Sequence, residues 1–230
     1  MKHLKKISNK EIADVIKYGE HKVIVVEKVP VIASGSYKAN YYIIDLETLE
    51  KEVITKSAYL MTKFGYAYKE ICDSIASPIQ CDAVVFSNRE VFIIYKNGQC
   101  GLFDSKGKML WNRTLEYNGA VVNGLALDGE YIWCCCESEN CVIRYSLDNF
   151  KVDLRIGSRD AKTFIRPSSI TADEENIYVC CDSKQLRSIS KKDLTVSDIG
   201  GYQLGLKKFW RFDGISIISL DDGAYIDIEE

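Results

Sequence analysis

Short apolar runs closed by turn dipeptides recur along the chain. "EVFIIY" (Glu90–Tyr95), "YIWCCC" (Tyr131–Cys136) and "NIYVCC" (Asn176–Cys181) are apolar at successive positions rather than at alternate ones. Successive side chains of a strand point to opposite faces, so strands of this kind are covered on both sides, whereas a sheet with one wet face alternates. Asn97-Gly98, Asp128-Gly129, Asp213-Gly214 and Asp222-Gly223 are tight-hairpin dipeptides flanked by apolar runs. No long stretch carries the 3.6-residue period of an amphipathic helix, and the pattern predicts a predominantly β chain.

The runs belong to an internal repeat. "EYIWCCCESENCVIRYSLDNFKV" (Glu130–Val152) aligns with "ENIYVCCDSKQLRSISKKDLTV" (Glu175–Val196). Ile132 meets Ile177, Trp133 meets Tyr178, Cys135-Cys136 meet Cys180-Cys181, and Glu137-Ser138 meet Asp182-Ser183. With one residue dropped, Tyr145 meets Ile189, Phe150 meets Leu194 and Val152 meets Val196. Weaker copies occur at Glu90–Trp111, at Asn40–Val53 and in the closing "FDGISIISLDDGAYIDIEE". The period of about 45 residues is that of a β-propeller blade, whose middle strands are packed between two neighbouring blades.

Within "FIRPSSITADEENIYVCCDSKQLRSI" (Phe164–Ile189) the chain resembles the NHL family of β-propeller repeats. Phe164, Pro167, Ile170, Ala172, Asp173, Ile177, Tyr178, Val179, Asp182, Arg187 and Ile189 match that pattern, while the family's usual Gly before Ile is Ser169 here. The likeness extends more weakly over Gly124–Gly157 and is thin elsewhere.

Five units of about 45 residues account for the chain. The expected fold is all-β: a single domain over 1–230, a propeller of five blades with about four antiparallel strands each. The last copy stops after "AYIDIEE", short of an outer strand. The N-terminal "KHLKKI" is expected to supply that strand and close the ring, because an open blade exposes an unpaired edge. Two segments stand outside the repeat. "SNKEIADVIKYG" sets Ser8 three residues before Glu11, with Ile12, Val15 and Ile16 on one helical face and Gly19 as a C-terminal cap, and predicts a short helix over Ser8–Tyr18. Ala58–Ser77, rich in Tyr and ending before Pro78, is expected to be a connecting insertion between the first and second blades. Its "YKEICDSIA" part has helical spacing at Ile71 and Ile75.

Composition narrows the partners. The 230 residues are 47% hydrophobic and 27% charged with a formal net charge of -3, which leaves no electrostatic footprint for nucleic acid. No apolar stretch approaches the roughly 18 residues of a membrane-spanning helix. No apolar run follows the basic start, unlike a signal peptide, so a cytoplasmic location with reduced thiols is expected. The nine cysteines are an odd number, against a disulfide framework. Zinc sites favour spaced Cys pairs with His, but Cys134, Cys135 and Cys136 are consecutive and the histidines are His3 and His21. On a strand Cys134 and Cys136 share one face and Cys135 takes the other, so the three cannot converge on an ion. They are expected to be free, buried, small hydrophobes.

Candidate chemistry is sparse. The chain carries no G-x-S-x-G, P-loop, H-E-x-x-H or Rossmann pattern. Lactonase-like propellers hold calcium in the central channel with carboxylates and amides of the innermost strands. The corresponding strands here, "AVVFSN", "VNGLALD", "PSSITAD" and "KFWRFD", offer Asn123, Ser168, Ser169, Lys208 and Arg211, a set without the clustered carboxylates that hard cations require. No catalytic residue, cofactor or metal is therefore expected. Lys207, Lys208, Trp210 and Arg211 suit either an anionic ligand or an ordinary strand start with a core Trp. Tyr37, Tyr41, Tyr42, Tyr66 and Tyr68 are candidate interface aromatics. The candidate binding residues are Asn123, Ser168, Lys208, Trp210 and Arg211. The resulting reading is a non-catalytic scaffold that binds a protein or peptide through blade loops, without nucleic acid or membrane partners. The alternative is a small-molecule binder or lactonase-like hydrolase that uses the channel.

Overall fold

The computed structural model describes residues 4–65, 78–182, 184–202 and 204–228. After β1 (Lys5–Ser8), the first sheet contains β2 (Ile12–Lys17), β3 (Lys22–Val31), β4 (Ser36–Asp45) and β5 (Lys51–Ile54). A helix, α1 (Lys56–Phe64), precedes the second sheet, β6 (Cys81–Val85), β7 (Val91–Tyr95), β8 (Gln99–Phe103) and β9 (Met109–Thr114). A small hairpin, β10 (Glu116–Tyr117) and β11 (Ala120–Val121), leads to β12 (Asn123–Asp128), β13 (Tyr131–Cys136), β14 (Cys141–Ser146) and β15 (Val152–Gly157). The fourth sheet is β16 (Pro167–Ala172), β17 (Asn176–Cys181), β18 (Gln185–Ser190) and β19 (Val196–Gly201). The fifth combines β20 (Leu206–Phe212), β21 (Ile215–Leu220) and β22 (Gly223–Ile228) with β1, in the order β1-β22-β21-β20. These five four-stranded antiparallel sheets make a five-bladed β-propeller. β1 runs antiparallel to β22, with Lys5 opposite Ile226 and Ser8 opposite Ala224.

Five apolar clusters hold the blades, one at each junction. In the third blade Ile132, Cys134 and Cys136 pack toward the second blade, against Phe92, Ile94 and Leu102. Trp133 and Cys135 pack toward the fourth, against Ile177, Val179 and Cys181. The alternation of the cysteines between two interfaces follows from strand geometry alone. The eight described cysteines are all buried and free. Burial pushes Cys180 up to about 12 and Cys100 up to about 11, so these thiols stay protonated and unreactive at neutral pH.

Two local devices recur from blade to blade. Leu49, Phe150 and Leu194 occupy the same turn between third and fourth strands with positive φ of 62, 53 and 63°. Their N–H groups donate to Asp45, Ser146 and Ser190 carbonyls at 2.8, 2.8 and 2.9 Å. Each apolar side chain then folds onto an inter-blade cluster, which offsets the strain of a left-handed non-glycine residue. The aromatic tips of Trp133 and Tyr178, matched in the repeat, both donate to an Asp five residues earlier, Asp128 at 3.2 Å and Asp173 at 2.6 Å. The large rings are thereby buried without orphaning their polar ends.

Two expectations change. Ser8–Tyr18 contains no helix: Ile12–Lys17 is β2, the innermost strand of the first blade. The i, i+3, i+4 spacing of Ile12, Val15 and Ile16 fits a helical face, but these β-branched residues belong to a strand whose pairing with β3 runs from Ile12↔Glu27 to Lys17↔Val23. Ser8 does not cap a helix; its hydroxyl donates to Glu27 Oε1 at 2.7 Å. The helix lies instead at Lys56–Phe64. Thr55 caps it, accepting from the Ala58 N–H at 3.1 Å, and Tyr59, Leu60 and Phe64 are buried against the first two blades. The spacing noted at Ile71 and Ile75 falls outside the described residues.

Deleting residues 1–7 should strip β1 from β22 and bare an edge beside Tyr225 and Ile226. The melting temperature should fall by several degrees with increased aggregation, corresponding to about 1 kcal/mol or more; an unchanged melt would remove β1 from any stabilising role. Thiol labelling of the native protein with Ellman's reagent should leave the eight described cysteines protected until unfolding.

Candidate functional site

The first strands of the blades, β2, β6, β12, β16 and β20, line the channel, where two cavities open. The larger, about 390 Å³, is bordered by the starts of these strands, including Glu11, Asp82, Asn123, Ser168, Ser169 and Lys208. The smaller, about 240 Å³, takes Asp14, Lys63, Asp82, Lys208, Trp210 and Arg211. Asp82 and Lys208 line both cavities and lie between them. Lys208 Nζ donates to Asp82 Oδ1 at 2.5 Å. Because β20 belongs to the fifth blade and β6 to the second, this bond reaches across the channel past the first blade.

A second group adjoins it. Asp14 Oδ2 accepts from Tyr59 Oη at 2.6 Å and from Lys63 Nζ at 2.5 Å, both on α1. Burial by itself would raise the Asp14 carboxyl, but Lys63 and Lys208, with the Lys63 and Tyr59 hydrogen bonds, hold it below its ordinary value. Burial would likewise lower the Lys208 ammonium; Asp82 and Asp14 outweigh it and keep the group above its ordinary value. Tyr59 is pushed well up by its burial and by the Asp14 charge, so it serves as a permanent hydrogen-bond donor.

The structure distributes the sequence-predicted residues between two mouths. Asn123, Ser168 and Lys208 border the larger cavity, whereas Trp210 and Arg211 join Lys208 at the smaller. Trp210 is also a core residue at the junction of fifth and first blades. Lys207 borders the larger cavity, bound to Asp221 at 2.6 Å, while Trp210 and Arg211 line the smaller, so the Lys207–Arg211 group does not converge on one site. Tyr41 is buried and Tyr37 exposed; Tyr66 and Tyr68 lie outside the described residues. Asp14, Asp82, Lys63 and Tyr59 were missed. Asp14 sat in the segment taken for a helix, and Asp82 immediately precedes the "AVVFSN" taken as the inner strand. Asp14 and Asp82 thus add two inner-strand carboxylates to the residues read from the sequence, each held by a lysine. Among the described residues no group of three or more His, Cys, Asp or Glu is placed to hold a metal ion.

The rim of the larger cavity carries a projecting ribbon. β2 pairs with β3 only as far as Glu27, and β5 with β4 only from Tyr41, yet β3 and β4 continue pairing to Val31↔Ser36. The tip therefore stands beyond the blade. Ile32 there is 97% exposed and Tyr37 52% exposed. The ribbon is braced at its base by Lys28, which binds Glu11 at 3.1 Å and lies 4.4 Å from the Tyr37 ring centre.

No protein-family model and no curated protein matches the chain. Solved structures do. The WD40 β-propeller domain of Doa1 is similar with a TM-score of 0.52 and 15% identity, over 93% of this chain and 62% of that one. Virginiamycin B lyase from Staphylococcus aureus gives 0.51 and 12% identity, over 97% and 69%. The computationally designed Ika8 protein gives 0.50 and 10%, over 95% and 71%. At these identities the likeness establishes the β-propeller fold. Among the described residues no helix is long and apolar enough to cross a membrane.

Lys208→Met should strand the Asp82 carboxylate and destabilise the fold by about 2–3 kcal/mol at neutral pH, with most of the loss recovered in Lys208→Met/Asp82→Asn. The pH dependence has two limbs. Lys208, raised in the folded state, stabilises below its ordinary 10.5 and loses that contribution as pH climbs through its folded value. Asp14, lowered in the folded state, stabilises above its ordinary 3.8 and loses that contribution as pH falls through its folded value. Urea melts across pH should show Lys208→Met flattening the alkaline limb and Asp14→Asn the acid limb.

Proposed function

We propose that this protein is a non-catalytic β-propeller scaffold that binds a protein or peptide partner, and that the β3–β4 ribbon is its principal contact. The observation that carries this reading is the ribbon itself: an almost fully exposed Ile32 and a half-exposed Tyr37 raised beyond the blade, where neither contributes to a core cluster. Large apolar side chains held out on a braced, paired backbone fit an interface anchor, which gains by being rigid before binding. Pro30, opposite Tyr37, and Lys38, opposite Val29, discourage strand-to-strand aggregation along the ribbon's edges, leaving side-chain contact as the mode of recognition. The repeat resemblance at Phe164–Ile189 supports an NHL-like origin for the blades. The β1–β22 pairing supports the N-terminal strand as the one that closes a single propeller over 1–230. The buried free cysteines fit a reducing, cytoplasmic compartment.

A photo-crosslinking residue at Tyr37 should capture a defined partner in cells that make the protein, while the same residue at the exposed Val152 of β15 should not. Purified partner should then bind Ile32→Asp about tenfold or more weakly, with an unchanged melting temperature. Equal capture from both positions, or full affinity in the variant, would displace the ribbon as the docking surface.

A further inference from the structure

Cys136 ends β13, Cys141 begins β14, and the two face each other across the ladder. Among the described residues they are the one pair of cysteines in register with each other. We propose that they are a reversible oxidation site, at which a small hydroperoxide converts the two thiols to a disulfide. Blade packing accounts for one of them. Cys136 is matched in the repeat by Cys181, the last residue of β17, and both fill inter-blade clusters. Cys141 has no such match. The first residue of β18 is Gln185, which stands opposite Gly201 of the outer strand as Cys141 stands opposite Gly157. The fourth blade therefore closes the same hairpin without a second thiol, and the repeat does not require Cys141.

The two sulfurs are hydrogen-bonded to each other, and they differ in role. The Cys141 S–H donates to Cys136; the Glu139 N–H and the Ser138 hydroxyl join it, and against burial and the Glu139 charge they hold Cys136 below its ordinary value. The same bond, and then burial, pushes Cys141 well up. Cys136 is thus the nucleophile and Cys141 the resolving thiol. The Cys136 sulfur attacks one peroxide oxygen: an S–O bond forms, the O–O bond breaks, and the departing hydroxide takes the thiol proton to leave as water. The Cys141 sulfur then displaces the hydroxyl from Cys136: an S–S bond forms, the S–O bond breaks, and the Cys141 proton makes a second water. Two thiols give up two electrons, and one peroxide is reduced to two waters. Opposed Cβ atoms on antiparallel strands lie about 4.5–5.5 Å apart, against about 3.5–4.5 Å in a disulfide, so a shift of about 1 Å at the hairpin end suffices. Both side chains are buried, and Ser138 and Glu139, which bond the Cys136 sulfur, belong to the turn 137–140. Local opening of such a turn costs far less than unfolding and admits a molecule little larger than water. The turn also latches the third blade to the fourth: Asn140 Oδ1 accepts from the Arg166 N–H at 2.9 Å, and Glu137 Oε1 from its guanidinium at 2.6 Å. A disulfide at the base of the turn fixes the separation of its ends.

This site is separate from the ribbon, and either proposal can fail alone. Full-length protein treated with hydrogen peroxide under native conditions, freed of oxidant and then unfolded, should show two fewer Ellman-reactive thiols than untreated protein. Dithiothreitol should restore both. Cleavage after Glu137 and Glu139 separates the two cysteines. Mass spectrometry should then find a fragment ending at Glu137 joined to one beginning at Asn140, with tandem fragmentation placing the bond at Cys136. Cys141→Ser, which keeps a hydroxyl to donate to Cys136, should lose the joined fragments and accumulate a dimedone-reactive sulfenic acid at Cys136. Cys136→Ser should give neither product. No loss of thiols in the native protein, a bond through a different cysteine, or a loss that dithiothreitol does not reverse overturns the proposal. Should either serine variant misfold, the wild-type fragments decide, since they identify both sulfurs.

Discussion

Burial of both faces of each blade's second strand within the ring, in β3, β7, β13, β17 and β21, is the constraint on which this molecule rests. A blade cannot shield its own apolar surface; it does so by lying between two others, and the ring supplies that arrangement for all five. Ile132 and Trp133 are adjacent in sequence yet serve different interfaces, one toward the second blade and one toward the fourth. The requirement explains the continuous apolar runs and the use of Cys134–Cys136, where small side chains fit between closely packed sheets. It also explains the fifth blade, in which segments from both ends of the chain share one sheet.

The channel presents the opposite problem, since strands that converge there bring polar groups out of water. The fold answers it by pairing. Lys208 meets Asp82 across the ring, and Asp14 is held by Lys63 and Tyr59 from the helix that follows the first blade. Helix α1 therefore has two roles: its apolar face extends the first inter-blade cluster, and its polar face neutralises a carboxylate on the innermost strand. Such pairs are poor sources of net stability compared with apolar packing, but losing one partner leaves the other exposed to the full cost of desolvation.

The ribbon and the larger cavity adjoin each other. The exposed ribbon rises from the rim of the larger cavity, with Lys28 belonging both to its base and to the cavity lining. Its tip is apolar, whereas the cavity beside it is lined by charged groups of both signs.

Much of this was legible in the residues. The period of about 45 residues, seen in the match of Trp133 with Tyr178 and of Cys135-Cys136 with Cys180-Cys181, determined the blade and their number, because repeating units that bury each other must repeat their apolar pattern. The opposite facing of Cys134 and Cys135 followed from strand geometry. Local sequence was misleading at Ile12–Lys17, where three β-branched residues at helical spacing satisfy two periods at once, and pairing with β3 decides between them. Asp14, Asp82, Lys63 and Lys208 are scattered over some two hundred positions, and nothing local marks them as neighbours. Asn123 and Ser168 could be placed near the channel from strand order, but the pairing of Lys208 with Asp82 across it could not. Periodicity is a property of the chain, whereas an ion pair across a ring exists only once the ring has closed around it.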